Sequence, residues 1–152
     1  MSRLERGGIA VDLPEGWEGS ISGGGFELLS DGAVQPTVLH AGSFPLPAER
    51  GTYGSGAVET MGPMDAFISL VEFGPESAGT PLFAAGGLPR NLNQRQFDRN
   101  MLQRALPGQT GCQLFFSQSG RPFCLYVVLG SHIDRADILP MVNTVLDRLD
   151  LT

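Results

Sequence analysis

The stretch GCQLFFSQSGRPFCLYVVLG, Gly111 to Gly130, constrains the fold more than any other. Two runs rich in aromatic and β-branched residues flank Gln118-Ser119-Gly120-Arg121, where the glycine supplies the positive φ of a tight hairpin turn. A chain committed to such a hairpin has to build an antiparallel sheet around it. With a two-residue turn at Ser119-Gly120, Cys112 faces Val127 and Phe115 faces Cys124. The cysteines are then out of register, which predicts two reduced, buried thiols on neighbouring strands.

DAFISLVEF, Asp65 to Phe73, reads as a second strand. Ala66, Ile68, Leu70 and Glu72 oppose Phe67, Ser69, Val71 and Phe73, so both faces are mostly apolar and the strand belongs in the centre of the sheet, covered on two sides. IAVDL (9–13) alternates as a half-buried strand does. FELL (26–29) and PTVLHAGSF (36–44) read as further antiparallel strands, with a hairpin turn at Gly23-Gly24-Gly25 after the strand-like SIS. Residues 45–64 are rich in Pro, Gly and small side chains and read as a long loop, broken by a short strand around Gly56–Met61.

Two helices are expected. Over 90–106, Leu92, Phe97, Met101, Leu102 and Ala105 recur at near-helical spacing. At the end of the chain Asp134 stands as an N-cap ahead of a stripe of Ile138, Met141, Val142, Val145, Leu146 and Leu149. Pro140 argues for a start two or three residues later, near Leu139, because proline is tolerated in a first turn. The expected class is α+β: an antiparallel sheet flanked by helices, with the C-terminal amphipathic helix packed on it, in a single domain over 1–152.

Composition narrows the function classes. All ten basic residues are arginine, and with abundant Ala and Gly this fits a high-GC bacterial coding bias. A net charge of -6 argues against nucleic-acid binding, which draws its affinity from cations on phosphates. The N-terminal MSRLERGG has no apolar signal region and no run is long enough to span a bilayer, so a cytoplasmic protein without membrane insertion is expected. Cys112 and Cys124 lack metal-ligand spacing, and neither a metal nor a cofactor is called for.

Catalytic motifs are weighed and set aside. Gly23-Gly24-Gly25 is followed by no Lys, and Gly54-Ser55-Gly56 does not complete a nucleophile elbow. His40 and His132 lie in different elements near Ser43, Ser131 and Asp134 and read as surface or strand-edge histidines. Glu59, Asp65 and Glu72 read as solvated acids. No catalytic residue is nominated, and a non-enzyme is expected.

Charge is unevenly divided. Residues 1–88 carry a net -8 and residues 89–152 a net +2. Arg90, Arg95, Arg99 and Arg104 crowd into fifteen residues with Asp98 as the one acid, and are the candidate partner-binding residues, since the arginine fork recognises carboxylates and phosphates. The competing reading is a helix face that neutralises the acidic first half.

A strand closed by VDLPEGWEG (11–19), together with GRPFCLYVVLGSHIDRADILPMVNTVLDRLDL (120–151), resembles the PsbP-like proteins. The resemblance covers about a third of the chain. It implies an antiparallel sheet with helices on its faces and a role as a binding module, the use made of it by extrinsic photosystem subunits, Ran-binding import factors and bacterial lipoproteins. The chain departs from these in showing no lipobox cysteine and no transit segment, and no functional residue carries over. Trp17 reads as an aromatic cap on one end of the core. The function expected is a non-catalytic cytosolic binding module, an adaptor, chaperone or inhibitor, for a protein encoded nearby or a second copy of itself. The alternative is a small-ligand domain with its pocket between sheet and helices.

Overall fold

The structure, a computed structural model, describes residues 2–23 and 36–152, so the expected strand at 26–29 and Gly24-Gly25 lie outside the described residues. The fold is α+β. Five antiparallel strands form the larger sheet in the order β3 (Glu18–Ser22), β4 (Val38–Gly42), β5 (Ala66–Glu72), β7 (Arg121–Leu129), β6 (Thr110–Gln118). A smaller sheet joins β1 (Ser2–Arg6), β2 (Ile9–Leu13) and β8 (Leu149–Leu151), also antiparallel. The helix α1 spans Arg135–Asp147.

The hairpin has the expected register, Cys112 opposite Val127 and Phe115 opposite Cys124, with Gln118 paired to Arg121. Ser119 and Gly120 both take positive φ, 55° and 76°, the pattern whose twist matches that of the flanking strands. β5 is central and buried along its whole length. Its two apolar faces meet different covers. Ile68 and Leu70 join Leu39, Phe116, Leu125 and Val127 in a core closed by Ile9, Val11 and Leu13 of the small sheet and by Val142, Val145 and Leu146 of α1. On the opposite face Phe67, Tyr126 and Val128 pack with Phe44, Ala57 and Val58, so a loop and not a helix covers it.

The PEGW stretch is a turn. Trp17 N–H donates to the Pro14 carbonyl at 3.1 Å and Gly16 has φ of 88°, a conformation that favours glycine. The half-buried Trp17 ring then packs against the core, as expected of a cap.

Several expectations are corrected. Residues 90–106 form no helix: two separate 3-10 turns, Gln94–Gln96 and Arg99–Met101, each start at an Asx cap and stop after three residues. One α-helix is present among the described residues, so helices do not flank the sheet as expected. The short strand near 56–61 is a 3-10 turn, Val58–Thr60. α1 starts directly after Asp134, and Pro140 lies in its second turn on the exposed side. Ala136, whose carbonyl loses a partner there, is itself exposed, which lets water replace the missing N–H. Leu149 is buried, but as the first residue of β8 opposite Val11.

Candidate functional site

A polar row crosses the loop-covered face of the larger sheet. Ser20 stands opposite His40, His40 opposite Ser69, Ser69 opposite Tyr126, and Tyr126 opposite Gln113, one residue from each of five strands. Directly paired residues share a face, so register alone aligns them. The loop after β4 supplies their partners. Thr52 carbonyl accepts from Ser69 Oγ at 2.7 Å and from His40 Nε2 at 2.8 Å. Arg50 Nε donates to His40 Nδ1 at 2.8 Å, and a second Arg50 nitrogen donates to Ser20 Oγ.

These contacts assign the histidine tautomer. A carbonyl only accepts, so Nε2 carries the proton and Nδ1 is left to accept from a guanidinium that only donates. His40 is neutral. Burial pushes its pKa below the usual value, the nearby Arg50 charge adds to this, and the bond to Thr52 opposes it. With 6% of its surface exposed, His40 is an interior residue, not the surface or strand-edge histidine expected.

Next to this row lies a cavity of about 240 Å³ between β7 and the loop, walled by Tyr53, Val58, Tyr126 and Val128. Tyr53 meets Tyr126 edge to face at 5.6 Å, and burial, then the neighbouring Cys124, pushes its phenol up to about 12. Tyr126 hydroxyl accepts the Gln103 backbone N–H at 2.7 Å. Between the sheet and α1 the described side chains form one continuous core. The cavity beside Tyr126 lies on the opposite face from α1.

The remaining residues of interest separate. Ser43 Oγ donates to Asp65 Oδ1 at 3.0 Å and accepts the Ala66 N–H, closing the entry to β5. Ser131 Oγ donates to Asp134 Oδ2 at 3.1 Å. His132 Nδ1 pairs with Thr110 Oγ1 at 3.0 Å, so neither histidine joins a Ser–His–Asp set. Glu72 is not a solvated acid: 4% exposed, it receives Arg121 Nε at 2.9 Å and a second Arg121 nitrogen at 2.8 Å. Arg121 also donates to the carbonyls of Gly7 and Thr152, tying both chain ends to the large sheet. Glu59 is exposed and accepts the Gly56 N–H.

The four nominated arginines differ in their intramolecular contacts. Arg90 is half-buried and donates to the carbonyls of Leu146 and Leu149, where α1 ends and β8 begins. Arg104 is exposed and its Nε lies 3.5 Å from Glu59. Arg95 and Arg99 are exposed and form no ion pair among the described residues. Arg99 lines an open depression of about 470 Å³ with Phe97, Asp98, Asn100 and His132. Ile133, beside His132, is 82% exposed, and Arg135 joins the start of α1 to the first 3-10 turn through the Gln94 carbonyl at 3.0 Å.

Cys112 and Cys124 are buried and unbonded, as expected. They point to opposite faces of the sheet. Burial raises the Cys112 thiol to about 11 and raises that of Cys124 as well. Among the described residues no group of His, Cys, Asp and Glu is arranged to hold a metal ion, and no helix is long and apolar enough to cross a membrane.

No known family profile, curated protein or solved structure matches this chain.

Proposed function

We propose that the protein is a non-catalytic binding module that docks an acidic segment of another protein on the surface where α1 begins. The observation that carries this is Ile133, an almost fully exposed branched side chain that follows His132 of the Arg99 depression, together with Arg95 and Arg99, which form no ion pair among the described residues. An exposed apolar side chain together with two guanidinium forks unpaired among the described residues is chemistry for a segment that carries both a hydrophobic side chain and carboxylates. The docking residues are Arg95, Arg99 and Ile133; Arg90 and Arg104 are excluded because each has an intramolecular partner. The resemblance of 11–19 and 120–151 to PsbP-like binding modules supports the same reading. Cytoplasmic location and a partner encoded nearby belong to this proposal.

Charges of this kind speed encounter more than they add affinity, so association should slow as salt rises. The test compares wild-type protein with Arg95→Glu/Arg99→Glu and with Ile133→Asp, each checked for an unchanged melting temperature. Partners are captured from a lysate of the source cells and rebound in purified form. Loss of the same purified partner in both variants, with association slowed by salt in the wild type, is the expected result. Equal binding by all three proteins overturns the reading.

A further inference from the structure

β1 is an edge of the smaller sheet, and half of its backbone is unanswered. The β1–β2 hairpin closes on the Arg6–Ile9 pair across Gly7 and Gly8, both at positive φ, 60° and 78°. In that register Arg6, Leu4 and Ser2 direct their backbone bonds to β2, and the N–H and C=O groups of Arg3 and Glu5 point away from it. Neither residue makes a backbone bond outside the hairpin among the described residues. The inner face of β1 is already occupied. Leu4 packs against the core and over Gly19 of β3, and an Arg6 nitrogen donates to the Ile21 carbonyl at 3.5 Å. β3 thus supports β1 through its inner face, and four of the five β1 residues remain exposed.

The edge at β6 is treated differently. Ser117 N–H donates to the Ala85 carbonyl at 2.9 Å at one end, and Asp98 and Gly111 exchange bonds of 2.9 and 3.1 Å at the other. Flanking segments of this kind keep foreign strands off an edge, and charged side chains do the same. β1 carries charges, but they are self-complementary. In Ser2-Arg3-Leu4-Glu5-Arg6, antiparallel pairing of two copies about Leu4 sets Arg3 of each opposite Glu5 of the other, at the positions whose backbone groups are open. A register shift of two residues either way opposes arginine to arginine or glutamate to glutamate, so the charges select one register. Glu5 lacks such a cation within its own sheet. Its cross-strand neighbour on β2 is Ala10, and Arg3 of its own chain is shared, 3.0 Å from Glu5 and 3.2 Å from Asp12.

We propose that β1 is a self-association edge, on which a second copy of this chain pairs antiparallel about Leu4 and joins two three-stranded sheets into one of six strands. Four backbone bonds form, two between each Arg3 and the facing Glu5, with an ion pair above each. The contact is smaller than the interfaces of stable complexes, so the dimer is weak and appears as concentration rises. The surface is separate from Arg95, Arg99 and Ile133, so either proposal stands or fails alone.

The test is sedimentation of the purified chain in about 0.15 M salt, where repulsion between two acidic molecules is screened beyond roughly 8 Å. The average mass of the wild type should rise towards that of a dimer between about 0.01 and 1 mM. Arg3→Glu and Glu5→Arg should each weaken association at least about tenfold, because like charges then face each other. An equimolar mixture of the two variants should recover it, since two acids on one edge then face two bases on the other. Glu5→Pro removes an outward N–H while leaving the hairpin bonds in place, and should abolish association at an unchanged melting temperature. Should Arg3→Glu loosen β1 within its own chain, Glu5→Pro reads the edge by itself. A wild type that stays monomeric at the highest concentration, a dimer that survives Glu5→Pro, or a mixture no stronger than its components overturns the proposal.

Discussion

Arg50 and His40 are joined by a hydrogen bond of 2.8 Å in which the permanent cation donates to a neutral ring. Protonating His40 would remove the acceptor and place two cations in contact, while Thr52 still needs the proton on Nε2. The native state therefore disfavours protonation, consistent with the lowered pKa. When a histidine is held below its free value, its contribution to stability is fully present above that value, 6.5, and is lost as pH falls through the folded pKa. Denaturation midpoints should be flat just above neutrality and fall below pH 6.5, with at most about 1.4 kcal/mol per pH unit from one site. His40→Gln should lower the plateau and remove this part of the acid slope. An unchanged difference between wild type and variant from pH 7 to 5 would show that His40 is not the group concerned.

Glu72 and Arg121 form a bidentate pair in which Glu72 is 4% exposed and the arginine also holds the two chain ends. Removing one member leaves the other buried and uncompensated, a cost of about 3–5 kcal/mol. Glu72→Ala and Arg121→Ala should each lose that much in chemical denaturation. Replacing both together, Glu72→Leu with Arg121→Met, should recover much of the loss, because well-packed apolar side chains substitute for buried pairs. The shortfall that remains would measure the bonds Arg121 makes to Gly7 and Thr152.

Cys112 lies against the main core and Cys124 beside Tyr53 and Gln113, on opposite faces of one sheet. Both thiols are buried and held above their ordinary range, and the thiolate is the reactive form. Alkylating reagent should label neither in the folded protein at neutral pH, and both once the chain is denatured without reductant. Loss of two hydrogens in the intact mass, or rapid native labelling, would contradict this arrangement.

The hairpin and α1 were legible because their information is local. A period of two around Ser119-Gly120 sets the register, and the stripe from Ile138 to Leu146 sets the buried face. Residues 90–106 misled for the opposite reason. Leu92 and Phe97 are buried by separate tertiary contacts: Leu92 exchanges hydrogen bonds with Asn143 at 3.0 Å each way, and Asp98 bridges to Gly111 on β6. The available signal was the spacing of Asn93 and Asp98, two Asx caps that each open a new turn where one helix would need none. The polar row was half legible. Alternation places Ser69 and Tyr126 on the loop-covered face, but the reach of Arg50 back to His40 depends on a Pro/Gly loop whose path only the folded sheet determines.

Arg90 separates one structural arginine from its exposed neighbours and allows the charge cluster to be divided by experiment. Its guanidinium donates to the carbonyls of Leu146, in the last turn of α1, and Leu149, in β8, which ties the two elements together and places a cation at the negative end of the helix dipole. Arg90→Ala removes hydrogen bonds to partly buried carbonyls and should cost about 1–3 kcal/mol in chemical denaturation. Arg95→Ala and Arg99→Ala remove exposed side chains without an ion pair among the described residues and should stay within about 0.5 kcal/mol of wild type. The order reverses for partner binding, where the two exposed positions should matter and Arg90→Ala should not, once compared at a temperature where both proteins are folded. Similar stability losses at all three positions would instead mean that Arg95 and Arg99 neutralise the acidic first half of the chain and are unavailable to a partner.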